Sequence, residues 1–189
     1  MRIIAGSRRG RVLEAPEGSA TRPTADRVRQ ALFDMLFHAP WGGRDCVEGV
    51  RILDGFAGTG ALGLEALSRG AAFCTFFEVD RAALGALRAN LAGCRMREMA
   101  QVFAGSVLRP KRAVEACGLV FLDPPYGEGL PARALAALSG AGWIAPGALI
   151  VVETGREEAA PVENVEILAE RVHGAARLWV WRAGGDAAE

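Results

Sequence analysis

From Val50 to Trp181, short stretches of consecutive apolar residues alternate with segments in which apolar residues recur at helical spacing. No other feature restricts the fold as much. A strand that is apolar throughout must be covered on both faces, and helical crossovers between successive strands are what cover a parallel sheet. Strands are predicted over residues 50–54, 72–79, 100–104, 118–122 and 147–153, with helices over 61–69, 81–92, 109–116 and 131–140. Segments 165–172 and 177–182 are also strand-like, and His173-Gly174-Ala175-Ala176 between them predicts a C-terminal antiparallel hairpin. The fold class expected is α/β, a doubly wound and mostly parallel seven-stranded sheet.

A smaller unit precedes this sheet. Arg2-Ile3-Ile4-Ala5 and Arg11-Val12-Leu13-Glu14 flank a turn over residues 6–10, which predicts a β-hairpin with a cationic tip. Thr24 is the expected N-cap of a helix in which Val28, Leu32, Met35 and Leu36 share a face, running to about Phe37. The organisation expected is thus an N-terminal hairpin and helix over 1–40 and an α/β domain over 41–189, closing in a frayed tail from Gly184 to Glu189. At 189 residues and 51% hydrophobic content the chain can bury one full core, and two large domains would not fit. No stretch approaches the roughly 20 uncharged apolar residues of a membrane helix, and Met1-Arg2-Ile3-Ile4 leads to Gly6 and Arg8 rather than into an apolar leader, so a cytoplasmic location is expected. Cys46, Cys74, Cys94 and Cys117 are scattered, and His38 and His173 are the only histidines, so reduced packing cysteines and no metal site are expected.

Charge is informative by its distribution. The formal net charge is zero, yet residues 1–40 hold seven arginines against four acids. Arg8, Arg9 and Arg11 at the hairpin tip, with Arg22, Arg27 and Arg29 about the helix start, are candidate phosphate contacts. Arg22-Pro23-Thr24 is expected to border the functional crevice, because proline fixes the backbone just ahead of the helix.

Two loops carry candidate chemistry. Asp54-Gly55-Phe56-Ala57-Gly58-Thr59-Gly60-Ala61-Leu62-Gly63 joins the first strand of the sheet to its first helix, and Gly58, Gly60 and Gly63 match the G-x-G-x-x-G nucleotide pattern. Glu78 ends the next strand 20 residues after Gly58, where a ribose-binding acid is expected. A nicotinamide-dependent oxidoreductase fits this loop. Asp54 at the strand end, however, would repel a pyrophosphate and suits the ammonium and sulfonium charges of S-adenosylmethionine. Glu78 can accept from both ribose hydroxyls, and Asp80 reads as an ordinary helix N-cap.

The second loop, Asp123-Pro124-Pro125-Tyr126, follows the apolar strand Leu119-Val120-Phe121-Leu122. An exocyclic base amine is a weak nucleophile because its lone pair is delocalised into the ring. The Asp123 carboxylate and the Pro124 carbonyl can each accept one N–H bond, turning the lone pair towards a methyl carbon and stabilising the charge that grows on nitrogen. Tyr126, the single tyrosine of the chain, can stack on the base. Together the two loops predict an amino-methyltransferase; DNA adenine N6 and a protein amide remain open as targets, as does a non-catalytic RNA-binding protein.

These blocks, with Met1-Arg2-Ile3-Ile4-Ala5-Gly6, Arg8-Arg9-Gly10-Arg11, Arg22-Pro23-Thr24-Ala25-Asp26-Arg27-Val28-Arg29 and Leu64-Glu65-Ala66-Leu67-Ser68-Arg69-Gly70-Ala71, resemble the bacterial small-subunit ribosomal RNA guanine-N2 methyltransferases over roughly residues 1–155. The resemblance implies a Rossmann-like seven-stranded methyltransferase sheet, S-adenosylmethionine as cofactor, and 16S rRNA as substrate within the small subunit or a late precursor, modified at guanine N2; a monomer is expected. It also implies that Asp54, Phe56, Ala57, Gly58, Gly60, Glu78 and Ser106 hold the cofactor and that Asp123, Pro124 and Tyr126 meet the target amine. Arg8, Arg9, Arg11, Arg22, Thr24 and Arg27 become the candidate RNA contacts. The family usually carries Leu at the position of Gly55, and at Ser106 an Asp that contacts the adenine amine.

Overall fold

The computed structural model describes residues 1–16 and 23–184, with helical side chains from Asp26 onward. The strands are β1 (Arg51–Asp54), β2 (Phe73–Glu78), β3 (Ala100–Ala104), β4 (Cys117–Leu122), β5 (Ile144–Gly155), β6 (Ile167–His173) and β7 (Ala176–Arg182). The α-helices are α1 (Pro23–His38), α2 (Ala61–Ser68), α3 (Arg81–Gly93) and α4 (Leu130–Gly140). All the strands join one sheet in the order β3-β2-β1-β4-β5-β7-β6. The first five strands pair in parallel, and β7 is antiparallel to both β5 and β6. The doubly wound seven-stranded architecture is therefore as expected, with one refinement: the last strand enters between β5 and β6 rather than extending the edge.

Strand residues divide by parity between two cores. On one face, Ile52, Cys74, Phe76, Leu119, Phe121, Val151 and Val180 pack with Leu32, Phe33 and Leu36 of α1, Leu64 and Leu67 of α2, and Leu87 and Leu91 of α3. On the other, Leu53, Phe77, Val120, Leu122, Ile150, Val152 and Trp179 pack with Leu135 and Leu138 of α4 and with Trp143. The strands are apolar throughout because both sides are covered.

The helix expected over 109–116 is absent. Its few apolar residues make no buried face, Val114 being fully exposed, and Pro110 disfavours helical backbone at Arg109. The segment is tied to the second core instead: Ala113 N–H donates to the Ala141 carbonyl at 2.9 Å, and Trp143 Nε1 to the Lys111 carbonyl at 2.8 Å.

The N-terminal hairpin survives as one antiparallel bridge, Arg2 with Val12, plus Ile3 N–H to Arg11 O at 2.9 Å and Leu13 N–H to Met1 O at 3.0 Å. Ile3 and Leu13 are part of the first core. Buried Glu65 of α2 accepts from Ile4 N–H (2.8 Å), Ala5 N–H (3.0 Å) and Arg69 Nε (2.8 Å), and lies 3.6 Å from Arg29 Nε. Buried Asn90 of α3 accepts from Glu14 N–H at 2.7 Å and donates to the carbonyls of Glu14 and Thr59, each at 3.0 Å. α1 starts at Pro23, so Thr24 lies inside the first turn rather than capping it; its side chain falls outside the described residues, as do Arg22 and the expected tail over 185–189. No described helix is long and apolar enough to cross a membrane. Cys74, Cys94 and Cys117 are free and buried, and Cys46 is free and half-buried.

Candidate active site

β1 and β4 are neighbours with Asp54 opposite Phe121, so the glycine loop and Asp123 to Tyr126 leave adjacent strand ends at the carboxyl edge of the sheet. The strand order also reverses between β1 and β4, which is where open α/β sheets form a ligand crevice. Hydrogen bonds hold the glycine loop onto the strands: Gly55 N–H to Phe121 O (2.9 Å), Ala57 N–H to Phe77 O (3.0 Å) and Gly58 N–H to Glu78 Oε2 (2.6 Å). Phe56 is half-buried against the second core. Gly60 has φ 82°, open to glycine at little cost, and a Cβ on Gly63 would stand 2.3 Å from the Phe76 ring and 2.6 Å from Cys74 Sγ. Glycine at 63 is what lets α2 start directly against β2. At Gly55 a Cβ would meet Leu122 Cδ2 at 2.5 Å, so Leu122 and Val107 fill that volume here.

Asp54 is 2% exposed and its Oδ2 accepts the Gly63 N–H at 3.0 Å. Burial pushes its pKa up to about 7, against the lowering effect of the Gly63 bond and with a contribution from Glu78. Glu78 is preorganised by three backbone donors: Gly58 on one oxygen, and Val79 and Asp80, both at 2.7 Å, on the other. A carboxylate offers about four acceptor positions, so about one remains for a new donor without displacement. Asp80 accepts the Ala83 N–H at 2.8 Å, the N-cap role expected of it. Gly105 N–H donates to the Glu78 carbonyl at 2.9 Å, which places Ser106 beside that corner; Ser106 Oγ accepts the Leu108 N–H at 3.2 Å.

Across the crevice, solvent reaches Asp123 although protein crowds it. That crowding, then the Glu153 and Asp54 carboxylates, raise its pKa above the usual carboxylate range. Pro124 is buried, and Tyr126 is 44% exposed. The Tyr126 hydroxyl donates to Glu153 Oε1, while Glu158 Oε1 accepts from Gly127 N–H (3.0 Å) and Gly155 N–H (2.9 Å). Burial and the bond to Glu153 raise the Tyr126 pKa and keep it a donor.

Glu153 and Glu158 were absent from the expected residues. A signal for Glu153 existed, since it follows Ile150-Val151-Val152 just as Asp54 and Asp123 follow or end their apolar strands. Four adjacent parallel strands, β2, β1, β4 and β5, thus each deliver a carboxylate to one edge: Glu78, Asp54, Asp123 and Glu153. Such a rim favours a cationic ligand.

The arginines divide differently from expectation. Arg29 is a correction: it is 5% exposed and bound to Asp26 (2.9 Å), the Arg2 carbonyl (2.5 Å) and the Glu65 carboxylate, so it is structural and not open to phosphate. Arg27 is exposed on α1. Arg8, Arg9 and Arg11 lie not at the crevice but with Gly93, Cys94 and Arg95 at the end of α3, near the opposite edge of the sheet. A cavity of about 610 Å³ is likewise elsewhere, between α1 and β6.

Comparisons with known proteins bear on the family and the fold. A family model described as "Conserved hypothetical protein 95" matches residues 1–182. Ribosomal RNA small subunit methyltransferase D of Escherichia coli strain K12 is 40% identical over 190 residues, covering 98% of this chain and 92% of that protein. The protein of the same name from Haemophilus influenzae is 38% identical over 179 residues, covering 92% and 89%. Among solved structures, YhhF, a candidate methyltransferase from Escherichia coli, superposes with a TM-score of 0.82 at 38% identity, covering 98% of this chain and 99% of that one. An RNA methyltransferase from Salinibacter ruber, in complex with S-adenosyl-L-homocysteine, shares the fold at a TM-score of 0.62 and 15% identity, covering 89% of this chain and 97% of that one.

Proposed function

The chain belongs to the conserved hypothetical protein 95 family, together with the ribosomal RNA small subunit methyltransferase D proteins, and from that premise we propose that it transfers a methyl group from S-adenosylmethionine to the exocyclic N2 of a guanine in 16S rRNA. The observation that carries this reading is the adjacency of the glycine loop and Asp123 to Tyr126 on neighbouring strand ends.

The crevice residues fit the cofactor. Gly58 has no atom within 4 Å of where a Cβ would stand, so the loop is open to a ligand, and the carboxylate rim suits a sulfonium and an ammonium. Glu78, fixed by its three backbone donors, would accept a ribose hydroxyl, with Phe56, Ala57, Gly60 and Ser106 lining the rest. When bound, S-adenosylmethionine supplies the electrophilic carbon.

The chain's own groups handle the nucleophile. Ionised Asp123 and the Pro124 carbonyl each accept an N–H of the target amine, which aims its lone pair and stabilises positive charge on nitrogen. Tyr126, its hydroxyl held by Glu153, presents a ring for stacking on the base. Arg22, Thr24 and Arg27 would contact RNA near the crevice. Support comes from α1, which lies alongside α2 with Arg29 near Glu65 and Arg69 over the rings of Phe33 and Phe37, so both helices start towards the carboxyl edge.

The decisive assay offers labelled S-adenosylmethionine with 16S rRNA, assembled small subunits and duplex DNA in parallel. Label at guanine N2 of rRNA is expected, and label in DNA or protein alone overturns the substrate assignment. Asp123→Ala is expected to abolish turnover while leaving cofactor binding intact; retained turnover would refute its role.

A further inference from the structure

We infer that Arg9, Arg11 and Arg95, beside Arg8, form a distal subsite for RNA backbone phosphate at the far end of α3 from the crevice; this rests on the RNA-methylation reading above. The four arginines line a hollow of about 330 Å³ together with Gly93 and Cys94. Arg8 Nε donates to the Cys94 carbonyl at 2.6 Å, so one guanidinium is accounted for as a cap on the helix end. Arg9, Arg11 and Arg95 are exposed, and none of the four forms an ion pair with a carboxylate among the described residues. A helix C-terminus carries only about half a negative charge, which cannot balance four cations gathered in one hollow. The uncompensated charge is of the sign and density that phosphate would neutralise.

Arg95 provides an independent observation. α3 ends in a Schellman motif: Met96 N–H reaches Leu91 O and Arg95 N–H reaches Ala92 O, both at 2.9 Å. The residue in the left-handed position of that motif is usually glycine, but here it is Arg95, at φ 55°. A side chain with a Cβ pays a conformational cost there, and in this chain it carries a guanidinium into the hollow. Local stability alone would favour glycine.

Position decides what the subsite does. α3 starts beside Glu78 at the carboxyl edge and, over its 13 residues, runs about 20 Å to the hollow. The chain from Arg11 to Glu14 climbs back along the same helix, from Gly93 to Asn90, whose amide also holds Thr59 of the glycine loop. Phosphates seated at the hollow are too far from the crevice to touch the reacting atoms. They set the register of the substrate, and their loss acts on binding rather than on the chemical step.

The test compares the wild-type chain with Arg9→Ala/Arg95→Gly, and with Arg112→Ala/Arg133→Ala as a charge-matched control; all four positions are exposed. rRNA binding is measured across a salt series alongside methyl-transfer kinetics. For the first variant we expect at least a tenfold rise in KM for rRNA, a log–log salt slope shallower by roughly 1.5 for two lost phosphate contacts, and unchanged kcat and cofactor affinity. Arg95→Gly alone should raise Tm while weakening RNA binding, opposite signs that a purely structural role for Arg95 would not give. Affinity and slope within twofold of wild type, or an equal loss in the control, overturns the subsite. If wild type itself transfers no methyl to rRNA, it is the methylation reading that fails.

Discussion

Asp54 and Asp123 are both carboxylates at strand ends, and burial first and neighbouring carboxylates second raise the pKa of each, but the consequences differ. Asp54 is sealed beneath the glycine loop, and the shift from an ordinary carboxylate to about 7 means that the folded state binds its proton more tightly than the unfolded chain does. Folding stability from this group is therefore lost as pH rises between about 4 and 7, by an amount on the order of a few kcal/mol. Asp54→Asn should accordingly raise Tm at pH 8, where the charge is costly, and its side-chain oxygen can still accept the Gly63 N–H; calorimetry at pH 5 and pH 8 checks that the gain grows with pH. Asp123 stabilises the positive charge growing on the amine nitrogen only when ionised, so its raised pKa predicts that kcat/KM falls on the acid side at a higher pH than an unperturbed carboxylate would give. Glu153→Gln removes one of the charges that raises Asp123 and should move that acid limb to lower pH, while weakening the hold on Tyr126. A limb that stays in place would show that Glu153 does not reach Asp123 electrostatically. Asp54, Glu78 and Asp123 were legible in the sequence because each ends or follows an apolar strand. The Tyr126 to Glu153 contact was not, since it joins residues 27 apart whose side chains meet only once β4 and β5 pair.

At the level of elements, α2 carries an unusual share of the fold. Its first turn touches β2 through Gly63, and its middle holds Glu65, which binds the backbone of Ile4 and Ala5 together with Arg69 and faces Arg29. Removing one member of such a buried charge cluster leaves the others uncompensated, so Glu65→Ala should cost about 3 to 5 kcal/mol in denaturant unfolding. Gly63→Ala should cost about 1 to 3 kcal/mol, because the Phe76 ring has to move. The strands and α2, α3 and α4 were readable to within a few residues, since apolar periodicity marks buried elements directly. The absent helix over 109–116 shows where that signal fails: its mixture of Pro110, basic residues and small apolar ones has no face to bury, and contacts with Ala141 and Trp143, remote in sequence, decide its path. Glu65 itself sat unremarked within Leu64 to Ala71, because an acid in a helix reads as surface until its partners are known.

For the whole molecule, the N-terminal segment and the sheet are joined by bonds that neither could replace alone. Ile3 and Leu13 enter the first core, and Asn90 ties Glu14 to the glycine loop. Deleting residues 1–14 should therefore lower Tm by about 10 °C, as expected for losing a few kcal/mol in a protein of this size, as well as weaken RNA binding. A truncation that melts like the intact chain would show these contacts to be superficial. The position of β7 has a different kind of consequence. It lies between β5 and β6, although it is translated after both. During synthesis, β5 therefore waits with one edge unpaired until residues 176–182 have left the ribosomal tunnel, and a chain interrupted before Ala176 presents an open, apolar edge to its neighbours instead of a finished sheet.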